Sequence, residues 1–236
     1  MAVKSKKKAE GHTGNEYLEN PEVLREQLTR SEQFFEDHRN LVLGLAGAVA
    51  LIIAGFFGWK YYQDSRNTEA QNMMFQAIHY FESDSLNLAL DGDGSNLGFS
   101  AIVQEYSGTE AANLANYYAG VAYLKKGQYK PAQLFLEDFS SDDLLVQTKV
   151  YDLLGDIHME QENYDEALDY YKRAAQRKST EEFSPVYWMK AALAAEKSGN
   201  QSEAVEAYET VIADFPESDQ VNDAKKFRAR LVGLGE

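Results

Sequence analysis

The longest uninterrupted run of apolar residues covers positions 41–59, LVLGLAGAVALIIAGFFGW, and lies between Arg39 and Lys60. In a helix these nineteen residues span about 28 Å, close to the thickness of the hydrocarbon core of a bilayer. We therefore predict one transmembrane helix over 41–60. The run starts too far from the amino terminus, and is too long, for a cleaved signal peptide, so we expect it to remain as an anchor.

One face of this predicted helix is lined by small residues at every fourth position. Such a stripe allows the backbone of a second helix to approach closely, and we predict that it packs against a membrane partner or a second copy. Small residues are also common in helices that serve only as tethers, so both interpretations stay open. The stripe consists of Ala46, Ala50, Ala54 and Gly58.

Residues 1–40 form a polar tail before the predicted span. Asn20, Pro21 and Glu22 are typical of a helix start, and apolar residues follow at helical spacing. We predict an amphipathic helix over 21–38, which either lies on the membrane surface or packs on a partner.

Basic residues are concentrated on the amino-terminal side of the predicted span, and only Lys60 and Arg66 follow closely after it. Segments rich in Lys and Arg stay in the cytoplasm, so we expect a cytoplasmic amino terminus and a translocated carboxyl-terminal domain. The basic residues of this topology signal are Lys4, Lys6, Lys7, Lys8, Arg25, Arg30 and Arg39.

After the span, helical periodicity predicts helices over 64–82 and 97–106, separated by the loop sequence DGDGSN at 91–96. A repeat then begins. Small residues at Gly120, Gly155 and Ala192 are 35 and 37 residues apart, and an alanine follows each of them after twelve residues. Sixteen residues after these anchors come Leu136, Tyr171 and Tyr208.

This spacing resembles the tetratricopeptide repeat, in which two antiparallel helices pack closely through small residues and successive pairs stack into a solenoid. The predicted fold is therefore all-α, with one transmembrane helix followed by a tetratricopeptide-repeat domain over 61–236. Residues 64–106 resemble a degenerate leading unit, and 218–232 is predicted to be a terminal capping helix.

Charge and composition narrow the possible functions. The net charge is −15, and residues 61–236 hold 30 acidic and 15 basic side chains, so the domain repels phosphate backbones and nucleic-acid binding is not expected.

The chain has no cysteine and no recognisable catalytic motif. Asp91, Asp93 and Ser95 imitate the start of a calcium loop, but Ile102 stands where the bidentate glutamate is required. We predict no enzyme activity, metal or cofactor.

In tetratricopeptide domains the first helix of each pair lines a binding groove. Here this groove is predicted to be apolar with acidic points, a surface that suits loosely specified, extended or unfolded chains. Alternatively, several of these side chains belong to the core between repeats. The candidates are Tyr117, Val121, Leu124, Asp152, Asp156, Met159, Met189 and Leu193.

The order of tail, single span and repeats resembles the membrane-anchored tetratricopeptide ancillary subunit of the bacterial Sec translocon. The resemblance implies a single-pass protein of the inner membrane with its repeat domain in the periplasm. It also implies association with translocon subunits and with periplasmic chaperones or secreted chains. Two other classes remain open: an envelope scaffold, for example in cell division, and a partner subunit of a respiratory or biosynthetic complex.

Overall fold

A computed structural model describes residues 36–177 and 179–233. In this part of the chain ten helices and no strand are formed, which confirms the all-α prediction. The chain divides into two compact units, 1–61 and 62–236. The helices are α1 (Arg39–Glu82), α2 (Leu86–Asp91), α3 (Phe99–Glu105), α4 (Glu110–Lys125), α5 (Tyr129–Asp138), α6 (Leu144–Glu160), α7 (Tyr164–Arg177), α8 (Ser184–Ser198), α9 (Gln201–Asp214) and α10 (Val221–Gly233).

Helix α1 is unbroken over 44 residues and includes both the predicted span and the predicted helix over 64–82. No glycine or proline occurs after Gly58 in this helix, so nothing interrupts its backbone hydrogen bonding. The helix is long and apolar enough to cross a membrane. Within 41–59 the apolar side chains are largely exposed, and Leu51 retains 76 % of its accessible surface, whereas Ala70, Met74 and Ala77 farther along the helix are buried.

The stripe of Ala46, Ala50, Ala54 and Gly58 lies on this exposed part of α1. A Cβ atom added at Gly58 would meet no neighbour within 4 Å. Arg39 is the first residue of α1. The other predicted topology residues (Lys4, Lys6, Lys7, Lys8, Arg25 and Arg30) lie outside the described residues, as does the predicted helix 21–38 except for its last three positions.

The leading unit contains α2, a short helix that periodicity did not predict, and then the predicted loop. Asp93 organises this loop, because its Oδ1 accepts hydrogen bonds from the backbone N–H groups of Ser95 (2.8 Å) and Asn96 (2.6 Å). Its Oδ2 accepts from the hydroxyl of Tyr80 at 2.7 Å. The hydrogen bond from Tyr80, followed by those from Asn96, holds the pKa of Asp93 below its usual value. The Asp93 carboxylate therefore stabilises the loop through its hydrogen bonds with Tyr80, Ser95 and Asn96.

Three helix pairs follow, α4–α5, α6–α7 and α8–α9, and the helices of the first two pairs approach closely at the predicted anchors. A Cβ atom added at Gly120 would lie 2.6 Å from Cγ of Leu136, and one added at Gly155 would lie 2.5 Å from Cε1 of Tyr171. Ala192, at the third anchor, is completely buried in the same apolar cluster as Tyr208. The first two anchors thus pack against the residue sixteen positions later, and the third shares an apolar cluster with it.

Helix α10 closes the series. Val221, Ala224 and Leu231 are buried, and Phe227 is half-buried against them, as the pattern predicts for a capping helix. The predicted start at 218 is three residues too early, because 216–220 forms a turn before the helix begins.

Candidate partner-binding groove

Two adjoining cavities form a groove along the repeat helices, and they share Lys190 and Leu193. The upstream segment has a volume of ≈ 470 Å³ and the downstream segment ≈ 620 Å³. The upstream segment is lined by Leu124, Tyr129, Asp156, Met159, Glu160, Tyr171, Lys190 and Leu193. The downstream segment is lined by Val186, Met189, Lys190, Leu193, Glu196, Lys197, Tyr208, Phe227 and Arg230.

The structure brings five of the eight predicted groove residues to these walls. Leu124, Asp156, Met159 and Leu193 line the upstream segment, while Met189, together with Leu193, lines the downstream one. They come from α4, α6 and α8, the first helices of the three pairs. Whether these side chains bind a partner remains a prediction.

Tyr117 and Val121 line neither segment. The ring of Tyr117 packs on Phe139, with centroids 5.5 Å apart, and on Tyr118 at 5.7 Å. Tyr117 therefore belongs to the core between repeats, the alternative left open for this set, because it packs on the apolar cluster that contains Phe139 and Leu154. Val121 is half-buried on α4.

Asp152 was predicted to be an acidic point on the groove surface, and this is wrong. It is only 3 % exposed, and Nζ of Lys149 donates to its Oδ2 at 2.7 Å. Lys190 donates to its Oδ1. A buried carboxylate is costly unless it is paired, and these two lysines provide the pairing.

Lys190 joins α6 to α8 at the wall that the two groove segments share. Its Nζ also donates to Oδ1 of Asp156 at 2.7 Å, and the hydroxyl of Tyr171 donates to the same oxygen at 2.7 Å. Burial by itself lowers the pKa of Lys190, but the hydrogen bonds to Asp152 and Asp156 outweigh it and the pKa is raised. The pKa of Tyr171 is raised by burial and by its bond to Asp156. The lysine is therefore charged and the tyrosine neutral at ordinary pH.

The sequence did contain a signal for Lys190. It stands two residues before the anchor Ala192, where the other units have Tyr118 and Leu153. A charged residue at an otherwise apolar repeat position indicates a buried partner, which here is the carboxylate of Asp152 on the preceding pair.

The downstream segment is closed by α10, which sequence reasoning assigned only a capping role. Arg230 pairs with Glu196 of α8 and lies over the ring of Phe227, 5.3 Å from its centroid. The hydroxyl of Tyr208 donates to Glu196 at 2.7 Å, and burial followed by this bond raises the pKa of Tyr208. Helices α8, α9 and α10 thus meet at one carboxylate.

His158 on α6 is a packing residue. It is 6 % exposed, and its ring stacks on Tyr170 with centroids 5.3 Å apart and planes 17° apart. Within residues 36–177 and 179–233, no group of three or more His, Cys, Asp or Glu side chains is arranged to hold a metal ion.

Comparisons with known proteins agree with this architecture. A family model described as a tetratricopeptide repeat-like domain matches residues 32–231, a range that includes the apolar amino-terminal segment as well as the repeats. No curated protein sequence gives a significant match.

Among solved structures, the crystal structure of a Podospora anserina protein described as a kinesin light chain with nearly identical TPR-like repeats has a TM-score of 0.51 at 15 % identity. The match covers 71 % of this chain and 92 % of that chain. At this identity the likeness shows the fold alone. Solenoids of this kind are typically non-catalytic scaffolds for protein interaction.

Proposed function

This chain belongs to the tetratricopeptide repeat-like domain family, and we propose that it is a membrane-anchored, non-enzymatic interaction protein. Its groove binds partner proteins or emerging polypeptide chains. The observation that carries this proposal is the exposure of apolar side chains along the groove. Leu193 is 45 % exposed and Val186 is 39 % exposed, beside the half-buried Met159 and Met189. Contiguous exposed apolar surface of this kind marks interaction sites.

Residues 41–60 insert in the bacterial inner membrane, with the amino terminus in the cytoplasm and 61–236 in the periplasm. The apolar surface of α1 and the basic residues before it support this topology. A carboxyl-terminal fusion to a reporter active only in the cytoplasm is expected to be silent, while the same reporter at the amino terminus is active. The reverse result would contradict the proposed orientation.

Within this class, we assign the protein as an accessory subunit of the Sec translocon. The layout of tail, span and repeats supports this assignment by its resemblance to that subunit, and one family model covers both the apolar segment and the repeats. A groove anchored beside the exit site raises the effective concentration of a binding surface near emerging chains. The periplasmic chaperones that handle those chains are expected among its partners.

Purification of the tagged full-length protein in mild detergent, followed by mass spectrometry, tests this assignment. Translocon subunits are expected to be enriched over a tagged, unrelated single-pass protein. Recovery of a different complex in stoichiometric amount, without translocon subunits, would contradict the assignment and favour an envelope scaffold in its place.

The small-residue stripe on α1 is proposed to contact a membrane partner directly. Replacing Ala46, Ala50, Ala54 and Gly58 together with Leu blocks close approach of a second helix but keeps the segment apolar. We expect normal membrane insertion and loss of co-purifying membrane subunits. Retention of those subunits would show that the helix is only a tether. Leucine at Val49, Ile53 and Phe57, which have the same spacing on a neighbouring face, is the matched control.

A further inference from the structure

We propose that the groove is electrically polarised and binds an extended partner segment with basic residues at one end, acidic residues at the other and apolar residues between them. The basic end lies in the upstream segment, at Asp156 and Glu160, and the acidic end lies in the downstream segment, at Lys197 and Arg230. This inference rests on the proposed function, because it specifies the chemistry of the partner that the groove binds.

The upstream segment carries excess negative charge. Its lining includes the carboxylates of Asp156 and Glu160, and its one cation is Lys190. Lys190 is already paired with Asp152 and Asp156, so it cannot neutralise the wall further. Oδ1 of Asp156 accepts from Lys190 and Tyr171, while no hydrogen bond within residues 36–177 and 179–233 reaches its Oδ2. That oxygen is free to accept a bond from a partner's Lys or Arg.

Glu160 adds a second carboxylate beside it. Glu160 is exposed, and it accepts one hydrogen bond, through Oε2 from the hydroxyl of Tyr129 at 3.2 Å. This neutral donor leaves the charge of Glu160 unpaired. Two carboxylates at the wall with spare acceptor capacity favour a basic side chain, because ionised donors and acceptors form the stronger hydrogen bonds.

The downstream segment has the opposite balance. Apart from the shared Lys190, it is lined by the cations Lys197 and Arg230 and by one carboxylate, Glu196, which Arg230 and Tyr208 already bond. Lys197 is exposed and has no ion pair within the described ranges. Residues 61–236 hold twice as many acidic as basic side chains, so the composition of the domain does not predict an excess of cations in the downstream segment. An acidic side chain is the complementary partner here.

Apolar side chains connect the two ends. Met159 and Leu193 line the upstream segment, and Leu193 also lines the downstream one. Met189, Val186 and Phe227 extend the apolar lining of the downstream segment. The lining draws on helices from α4 to α10, so an extended segment fits it better than a compact surface does. In such an arrangement the apolar contacts supply affinity, while the charges at the two ends fix the direction of the bound segment.

Synthetic peptides of identical composition test the polarity against the full-length protein in detergent. One peptide has lysines at its amino end, leucines and methionines in the middle and glutamates at its carboxyl end. A second has this order reversed, and a third alternates the charges. At low salt one or both block peptides are expected to bind about fivefold tighter than the alternating peptide, because exposed ion pairs are individually weak. The advantage is expected to shrink at about 0.5 M salt.

Charge reversal then assigns the two ends. E160K is expected to weaken binding of the block peptide, as is K197E. A photo-crosslinker beside the lysine block should mark the carboxyl end of α6 in the wild-type protein and the carboxyl end of α8 in the E160K/K197E double variant. E206K and K225E change the same charges at exposed positions outside the groove and should leave binding unchanged. Equal binding of block and alternating peptides, or crosslinks that do not move, would overturn the inference.

A charge-free peptide of the same apolar sequence separates this inference from the function on which it rests. If it binds as tightly as the block peptides, and L193E abolishes binding of both, the groove binds partners without polarity and only the present inference fails. If no peptide binds in the groove, the inference and the proposed role of the groove both fail.

Discussion

The first two helix pairs have the same architecture and different chemistry. In α4–α5 the anchor Gly120 faces an aliphatic side chain, Leu136, and Tyr117 fills the adjacent space. In α6–α7 the anchor Gly155 faces the ring of Tyr171, whose hydroxyl is bonded to a carboxylate on α6. The close approach of the helices is therefore common to both pairs, while the interior next to it changes from apolar to polar.

This difference explains the polar contacts along the wall of the groove. A tyrosine in place of leucine brings a hydroxyl to Asp156, and Asp156 in turn is held by Lys190 of the next pair. The second pair is thus joined to the third by charge as well as by apolar packing. The first pair meets the second through apolar and aromatic contacts around Phe139 and Leu154, with tyrosine hydroxyl bonds from Tyr129 to Glu160 and from Tyr170 to Glu137 but no ion pair among those found in the described residues. The following changes test this contrast, from the largest expected effect to the smallest.

Alanine at the two anchor glycines is expected to have unequal effects. G155A should destabilise the domain by about 3 kcal/mol, because the added methyl group meets a ring whose position is fixed by its hydroxyl bond. G120A should cost less, about 2 kcal/mol, because the side chain of Leu136 has no such bond, although the added methyl group would also lie 3.2 Å from the backbone oxygen of Ala132. Thermal unfolding of the full-length protein, followed by circular dichroism, measures both.

The control for this pair is G233A. A Cβ atom at Gly233 would meet nothing within 4 Å, so this change should leave the melting temperature unchanged or slightly raised. Equal losses for G155A and G120A would show that the tyrosine bond does not make the second pair more rigid than the first.

Removal of the Lys190 charge should give the next largest effect. K190M leaves the 3 % exposed Asp152 with one lysine partner, and we expect a loss of about 2 kcal/mol in the free energy of unfolding. K125M is the matched control, since Lys125 also pairs with a carboxylate, Asp84 at 3.3 Å, and lies over a ring, Phe81 at 5.0 Å. Asp84 has a 77 % exposed side chain, so this loss should stay below about 0.5 kcal/mol.

The contribution of Lys190 also has a defined pH dependence. Its pKa is raised in the folded protein, so the stabilisation is fully present below the unfolded pKa of about 10.4 and is lost as pH rises through the folded value. The difference between wild type and K190M should therefore be constant from neutral pH to about pH 10. A difference that disappears at neutral pH would contradict the charged network.

The smallest effect is expected for the tyrosine hydroxyls. Y171F removes the bond to Asp156 and should cost about 1 kcal/mol while keeping the ring against Gly155. Y129F removes a bond to the exposed Glu160 and should change stability by only a few tenths of a kcal/mol. Chemical denaturation of the two variants in parallel measures both losses. A larger loss for Y129F than for Y171F would contradict the stabilising role of the bond between Tyr171 and Asp156.

The sequence predicted those features that depend on spacing along one helix or one repeat. The contacts of Gly120 with Leu136 and of Gly155 with Tyr171 follow from the repeat period, because each repeat places the same positions face to face. The apolar run at 41–59 was equally clear, since length and hydrophobicity alone define it.

Features that depend on pairs of side chains from different helices were missed. The burial of Asp152 cannot be inferred from α6 alone, because its partner Lys190 is 38 residues away. Likewise, the pairing of Arg230 with Glu196, which brings α10 into the groove, joins two polar positions that periodicity assigns to the surface. Periodicity identifies which face a residue occupies, but it does not identify the charge that meets it there.

The central claim is that the groove is the surface through which the anchored protein contacts its partners. A photo-crosslinking amino acid at Met159, on the groove wall, and at Leu134, exposed on α5 outside both segments, tests it in intact cells. The account predicts crosslinks from position 159 to a translocon subunit, a periplasmic chaperone or a secreted chain, and none of these from position 134. Crosslinks to the same partners from both positions, or from position 134 alone, would contradict it.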